Sequence, residues 1–93
     1  MDRNKLKKAR KKIDQIDKKI FYLIKKRTNI VKYMLSLKQY RNQIVDRKRI
    51  NEIIKNIKQK SIKNNIDPNI TVRIWRSMIW SYVKFQQKNF NKK

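Results

Sequence analysis

The chain has no cysteine, no histidine and no glycine, and Pro68 is its only proline. Without cysteine there is neither a disulfide framework nor a thiolate nucleophile. The absence of histidine removes imidazole acid–base catalysis and most transition-metal sites. The absence of glycine removes phosphate-cradling P-loops and dinucleotide fingerprints together. Carboxylates are scarce as well: six Asp and Glu stand against 28 Lys and Arg, too few and too scattered to cage a hard cation. No metal and no cofactor is therefore expected. No uninterrupted apolar run approaches a membrane span, and no apolar signal core follows the charged first dozen residues. The expectation is a cytoplasmic protein with no membrane partner. Ninety-three residues allow one domain, spanning 1–93.

What remains is basic, polar and patterned. The net charge is +22, and mean hydropathy is −0.95. Such values border on those of disordered chains, but a disordered segment does not keep an apolar stripe in phase, and this chain does. A basic chain also suggests nucleic-acid binding. That function would gather cations, preferably Arg, on one face. Here Lys is spread around every exposed face, and only eight of the 28 cations are Arg. Lys, Asn and Ile contribute 20, 10 and 15 residues, a bias that reads as compositional drift at tolerant surface positions. Nucleic acid is not the expected partner. The positive field would still attract any anion.

The apolar pattern predicts three helices. Leu6, Ala9, Ile13, Ile16, Ile20, Leu23, Arg27, Ile30, Met34 and Leu37 follow alternating steps of three and four. A first helix is expected from about Asn4 to about Tyr40, capped by Asp2 or Asn4. The stretch 39–45 reads as a connection. A second helix is expected from near Asp46, with Ile50, Ile53, Ile54, Ile57 and either Ser61 or Ile62 on one face. Asn64-Asn65 supplies a left-handed stop, and Asp67-Pro68 an N-cap followed by proline at the first helical position. The third helix runs to about Phe90 through Ile70, Ile74, Trp75, Met78, Ile79, Tyr82, Val83 and Gln86, with Trp75 and Trp80 as core and rim.

A first helix of about 50 Å exceeds the roughly 25–30 Å diameter of a compact globule of this length. Two shorter helices cannot cover its whole seam. The expected fold is thus all-α, an intertwined homodimer in which long helices pair.

Arg27 occupies an apolar seam position, where a guanidinium is costly to bury without an anion. It could snorkel to water or set the register of pairing; it could also bind an anionic ligand. Lys38 lies eleven residues on, nearly on the same helix face. Arg10 lies about 25 Å before Arg27 and can reach its site only from a second, antiparallel copy. Arg49 adjoins the apolar face of the second helix. Tyr82 and Gln86 form an i, i+4 pair on the third, and Gln86 on an apolar stripe needs a partner. Four cations and a glutamine suit a compact dianionic organic acid. They include no nucleophile and no obvious base. That fits a unimolecular pericyclic reaction, accelerated by holding the reactive conformer and stabilising a developing charge.

These residues also carry a resemblance. Ala9-Arg10-Lys11-Lys12-Ile13-Asp14-Gln15-Ile16-Asp17 resembles the R-x-x-I-D-x-I-D opening of the all-helical (AroQ-type) chorismate mutase family. The resemblance continues through Leu23-Ile24-Lys25-Lys26-Arg27, Lys38, Asp46 and Arg49, and ends with Ile74-Trp75-Arg76-Ser77-Met78-Ile79 and Gln86-Gln87. It covers most of the chain. It implies the chorismate mutase fold, an intertwined helical dimer, and the rearrangement of chorismate to prephenate in the shikimate pathway of aromatic amino-acid biosynthesis. It further implies that Arg27, and Arg10 contributed in trans, bind the two carboxylates of chorismate. Lys38 and Gln86 would hydrogen-bond the ether oxygen, Arg49 would support a carboxylate, and Asp46 would sit by the ring hydroxyl.

Three departures from the family pattern bear on substrate choice. Ile50 stands where mutases usually have a ring-contacting Glu, and Glu52 falls on a different face. The connection between Lys38 and Arg49 is one residue shorter than usual, and Tyr82 replaces a common Ser. All three resemble isochorismate-pyruvate lyases, homologues that release pyruvate from isochorismate to leave salicylate. A lyase, a nucleic-acid-binding helical dimer and a plain oligomerisation module, in which Arg27 only sets register, therefore stand as alternatives.

Overall fold

The computed structural model describes residues 2–91. Its elements are α1 (Arg3–Leu37), a one-turn 3-10 helix (Arg41–Gln43), α2 (Arg47–Lys63) and α3 (Pro68–Asn89). No strand occurs among the described residues, and no helix there is long and apolar enough to cross a membrane. The chain divides between Tyr33 and Met34 into two compact units.

The first unit is the bulk of α1. Asp2 rather than Asn4 caps it: its Oδ1 accepts from the backbone N–H groups of Asn4 at 2.9 Å and Lys5 at 3.1 Å. With neither Gly nor Pro inside, nothing interrupts the 35-residue helix, about 52 Å long. Its seam is largely open. Ile13, Ile16, Ile20, Leu23 and Ile30 range from 47% to 60% exposed. Arg27 is half-buried, less exposed than these apolar neighbours, and Val31 is buried.

The second unit begins with the last residues of α1, which stops three residues short of the expected end. Lys38 N–H bonds back to Leu35 O at 3.2 Å, a tightened last turn, and the chain leaves the helix there. The expected irregular connection holds the 3-10 turn. Gln43 Oε1 reaches back to accept from Gln39 N at 2.7 Å and Tyr40 N at 2.9 Å. Ile44 follows as a buried anchor.

Helix α2 starts at Asp46, whose Oδ1 accepts from Arg49 N at 3.0 Å. It ends as the two asparagines predicted, and without glycine. Asn65 takes φ 58°, Ile66 N bonds to Ser61 O at 2.9 Å and Asn65 N to Ile62 O at 3.3 Å, a Schellman closure. Asp67 caps α3 through a 2.9 Å bond from Asn69 N, with Pro68 in the first turn. Replacing Asp67 by Ala should lower stability by about 1 kcal/mol, read as a fall in urea midpoint at fixed protein concentration with unchanged slope.

Helices α2 and α3 pack on each other. Ile50, Ile53, Ile54 and Ile57 are half-buried, while Ile79 and Val83 are buried. Ser61, not Ile62, faces inward. Its hydroxyl donates to Ile57 O at 2.6 Å, so the 2.6 Å contact with Thr71 Oγ1 is a bond that Thr71 donates. The buried Ser61 hydroxyl is thereby satisfied across the seam. Trp75 is half-buried and Trp80 is 37% exposed. Ile70 and Ile74 depart from the expected stripe. They are 57% and 53% exposed, because they fall on a different face of α3 from Thr71, Trp75, Ile79 and Val83.

Candidate active site

Gln86 is one of two buried polar side chains among the described residues, at 7% exposure. It lies on α3 one turn beyond Tyr82, in line with Ile79 and Val83. A buried primary amide must place one acceptor and two donors. Its oxygen receives Lys38 Nζ at 2.6 Å, and its nitrogen donates to Tyr82 O at 3.2 Å. The orientation of the amide follows from chemistry: an ammonium can only donate, so the atom facing it is Oε1.

Lys38 reaches Gln86 because α1 ends at Leu37 and releases it into the connection. Its ammonium is half-buried. Burial pushes its pKa below the ordinary 10.5, and the Asp46 carboxylate offsets this in part. Asp46 itself is exposed at the start of α2, with one oxygen engaged by Arg49 N. The Arg49 side chain is exposed, and Tyr82 is half-buried.

The structure thus joins Lys38, Gln86 and Tyr82 by hydrogen bonds, with Asp46 near enough to act on Lys38 through its charge. Arg10, exposed, and Arg27, half-buried, belong to the first unit. The joined residues form a donor site. Lys38 brings ammonium N–H donors to the pair, and Gln86 brings an amide NH2, one hydrogen of which goes to Tyr82 O. Two such donors side by side can stabilise an oxygen that gains negative charge. Among the described residues no three His, Cys, Asp or Glu side chains could share a metal ion.

A residue that sequence reasoning passed over lies beside this pair. Arg41, in the 3-10 turn, donates from its guanidinium to Gln87 O at 2.9 Å and lies 5.3 Å from the centre of the Phe90 ring. A lone Arg in a polar connection gives no sequence signal of such a contact.

A model of type II chorismate mutases matches residues 9–87 of the chain. The chain belongs to the type II chorismate mutase family. A chorismate mutase from Methanocaldococcus jannaschii is 36% identical over 87 residues, which cover 92% of this chain and 87% of that protein. No solved structure gives a significant match. Family and relative are both named for the mutase, and neither favours the lyase or the nucleic-acid alternative. Every candidate residue from Arg10 to Gln86 falls inside the segment matched to chorismate mutases. Ile50, the departure from the mutase pattern, is half-buried and lines a groove of about 440 Å³ with Arg47, Ile54, Arg76 and Trp80. The guanidinium of Arg47 lies 5.9 Å from the Trp80 ring centre. Lys38 and Gln86 do not line that groove.

Proposed function

We propose that this chain rearranges chorismate to prephenate in aromatic amino-acid biosynthesis, as a cytoplasmic homodimer. The observation that carries this reading is the Lys38–Gln86 pair: an ammonium that donates at 2.6 Å to the oxygen of a buried amide, which itself sits on an otherwise apolar stripe of α3. The reaction is unimolecular. The ether C–O bond breaks as a C–C bond forms, and no proton or electron leaves the substrate. Catalysis then needs a held conformer and stabilisation of the charge that grows on the ether oxygen. Lys38 Nζ and Gln86 Nε2 serve as the donors to that oxygen. Arg27 and Arg10 of a second copy bind the two carboxylates, and Arg49 supports a carboxylate. Asp46 stands by the ring hydroxyl, and Tyr82 holds Gln86 through its backbone oxygen.

The open seam of α1 supports the dimer. Ile13, Ile16, Ile20, Leu23 and Ile30 are each about half exposed or more, and only Val31, Ile44, Ile79 and Val83 are buried apolar side chains among the described residues. One copy alone buries little apolar surface to offset the ordering of its chain. A second copy laid along α1 would cover the seam.

The pH profile follows from Lys38. Its donating form is the ammonium, and its pKa is depressed below 10.5. The proton is therefore lost at lower pH than from a free lysine, and kcat/KM should fall on an alkaline limb whose midpoint lies below 10.5. In Lys38→Arg, whatever its residual rate, that limb should vanish, because guanidinium keeps its proton. As a test of the function itself, chorismate given to the purified protein should disappear with prephenate forming mole for mole. A protein that leaves chorismate at its uncatalysed rate would sink the reading.

A further inference from the structure

We infer that Arg41 is a positioning residue that ties the connection after α1 to the end of α3, and so sets the Lys38–Gln86 pair. The inference rests on the proposed role of that pair. The last carbonyls of a helix have no intrahelical partner and carry the negative end of its dipole. Arg41 takes one of them: its Nη1 donates to Gln87 O at 2.9 Å. Its guanidinium also faces the ring of Phe90, the C-cap of α3, at 5.3 Å. One side chain therefore grips the helix end at two points.

The other end of the tether is firm. Arg41 opens the 3-10 turn, and its own carbonyl accepts from Ile44 N at 3.1 Å. Gln43 Oε1 ties back Gln39 and Tyr40, and Ile44 is buried. Lys38 is the residue just before this braced turn. Gln86 is the residue just before Gln87. Two links thus run in parallel from connection to helix, Arg41 to Gln87 and Lys38 to Gln86. A lysine side chain is long and rich in rotamers, so one 2.6 Å bond to a neutral amide does not by itself hold it in place. The Arg41 link fixes the backbone from which Lys38 extends. Arg41 touches neither Lys38 nor Gln86 by any bond described, and it acts through the main chain.

The experiment compares wild type, Arg41→Ala and Arg41→Lys. In Arg41→Ala the proposed carboxylate-binding arginines are untouched, while the donors to the ether oxygen lose alignment. We expect kcat to fall by roughly ten- to a hundred-fold, with KM within a factor of about two. Arg41→Lys keeps a cation at the helix end but loses the planar fork, and should recover part of the rate. The side-chain amide resonances of Gln86 provide a readout independent of turnover. They should shift in Arg41→Ala in the same direction as in Lys38→Met, which removes the bond outright. Unmoved Gln86 resonances in Arg41→Ala would overturn the inference, whatever the rate does. So would equal loss of rate in both Arg41 variants that tracks only a lower melting temperature. If wild type does not turn over chorismate but the Gln86 resonances shift as expected, the tether stands and the proposed function falls.

Discussion

Lys38→Met should lower kcat on chorismate by about two to three orders of magnitude while leaving the helices intact. Met keeps the length and most of the volume of the side chain but removes the charge and all three donors. The ether oxygen gains negative charge only as the C–O bond breaks, so a donor aimed at it acts mainly on the transition state. The loss should then fall on kcat more than on KM. Stability should change little. The half-buried ammonium is partly desolvated, which lowers its pKa, and removing it relieves that cost. Against this, Gln86 Oε1, on a side chain only 7% exposed, loses its 2.6 Å partner. Circular dichroism and the melting temperature would check the fold, and steady-state kinetics the rate. If kcat stayed within a factor of about three, Lys38 would have no part in the chemistry.

Mixing two inactive variants should restore activity. Suppose that each site uses Arg10 of one copy and Lys38 and Gln86 of the other. Arg10→Ala and Lys38→Met homodimers then have two defective sites each. A heterodimer has one site with both defects and one with none. Unfolding the two proteins together and refolding them should give about half heterodimers, and so about a quarter of the wild-type activity. The recovered activity should show the wild-type KM, because the rebuilt site is complete. If Arg10 acted within its own chain, every site in the heterodimer would carry a defect and the mixture would stay inactive. Refolding each variant alone is the control. A mixture no more active than those controls would contradict the shared site.

The sequence showed its helix ends best where a local residue chooses the backbone. Asp67 caps α3, Pro68 enters it, and Asn65 takes the left-handed φ of 58°. Each of those choices is made within a few residues. The end of α1 was not legible, because Leu35 to Tyr40 contains no breaker. What turns the chain there is the Gln43 side chain reaching back to Gln39 and Tyr40. Periodicity marked Ile70 and Ile74 as apolar but not what covers them; only the arc that meets α2 is buried. The site shows the same division. A glutamine in an apolar stripe announced a polar partner, and the family spacing pointed to Lys38, 48 residues away. Arg41 had no such pattern to betray it, since its bond to a carbonyl depends on where α3 happens to end.

The most direct test of the account measures kcat/KM on chorismate and on isochorismate side by side, with products separated by chromatography. The expected result is prephenate from chorismate at an enzymatic rate, and much slower release of pyruvate from isochorismate. The opposite ratio, with salicylate and pyruvate as the main products, would contradict it and make Ile50, Tyr82 and the short connection the features that set the reaction.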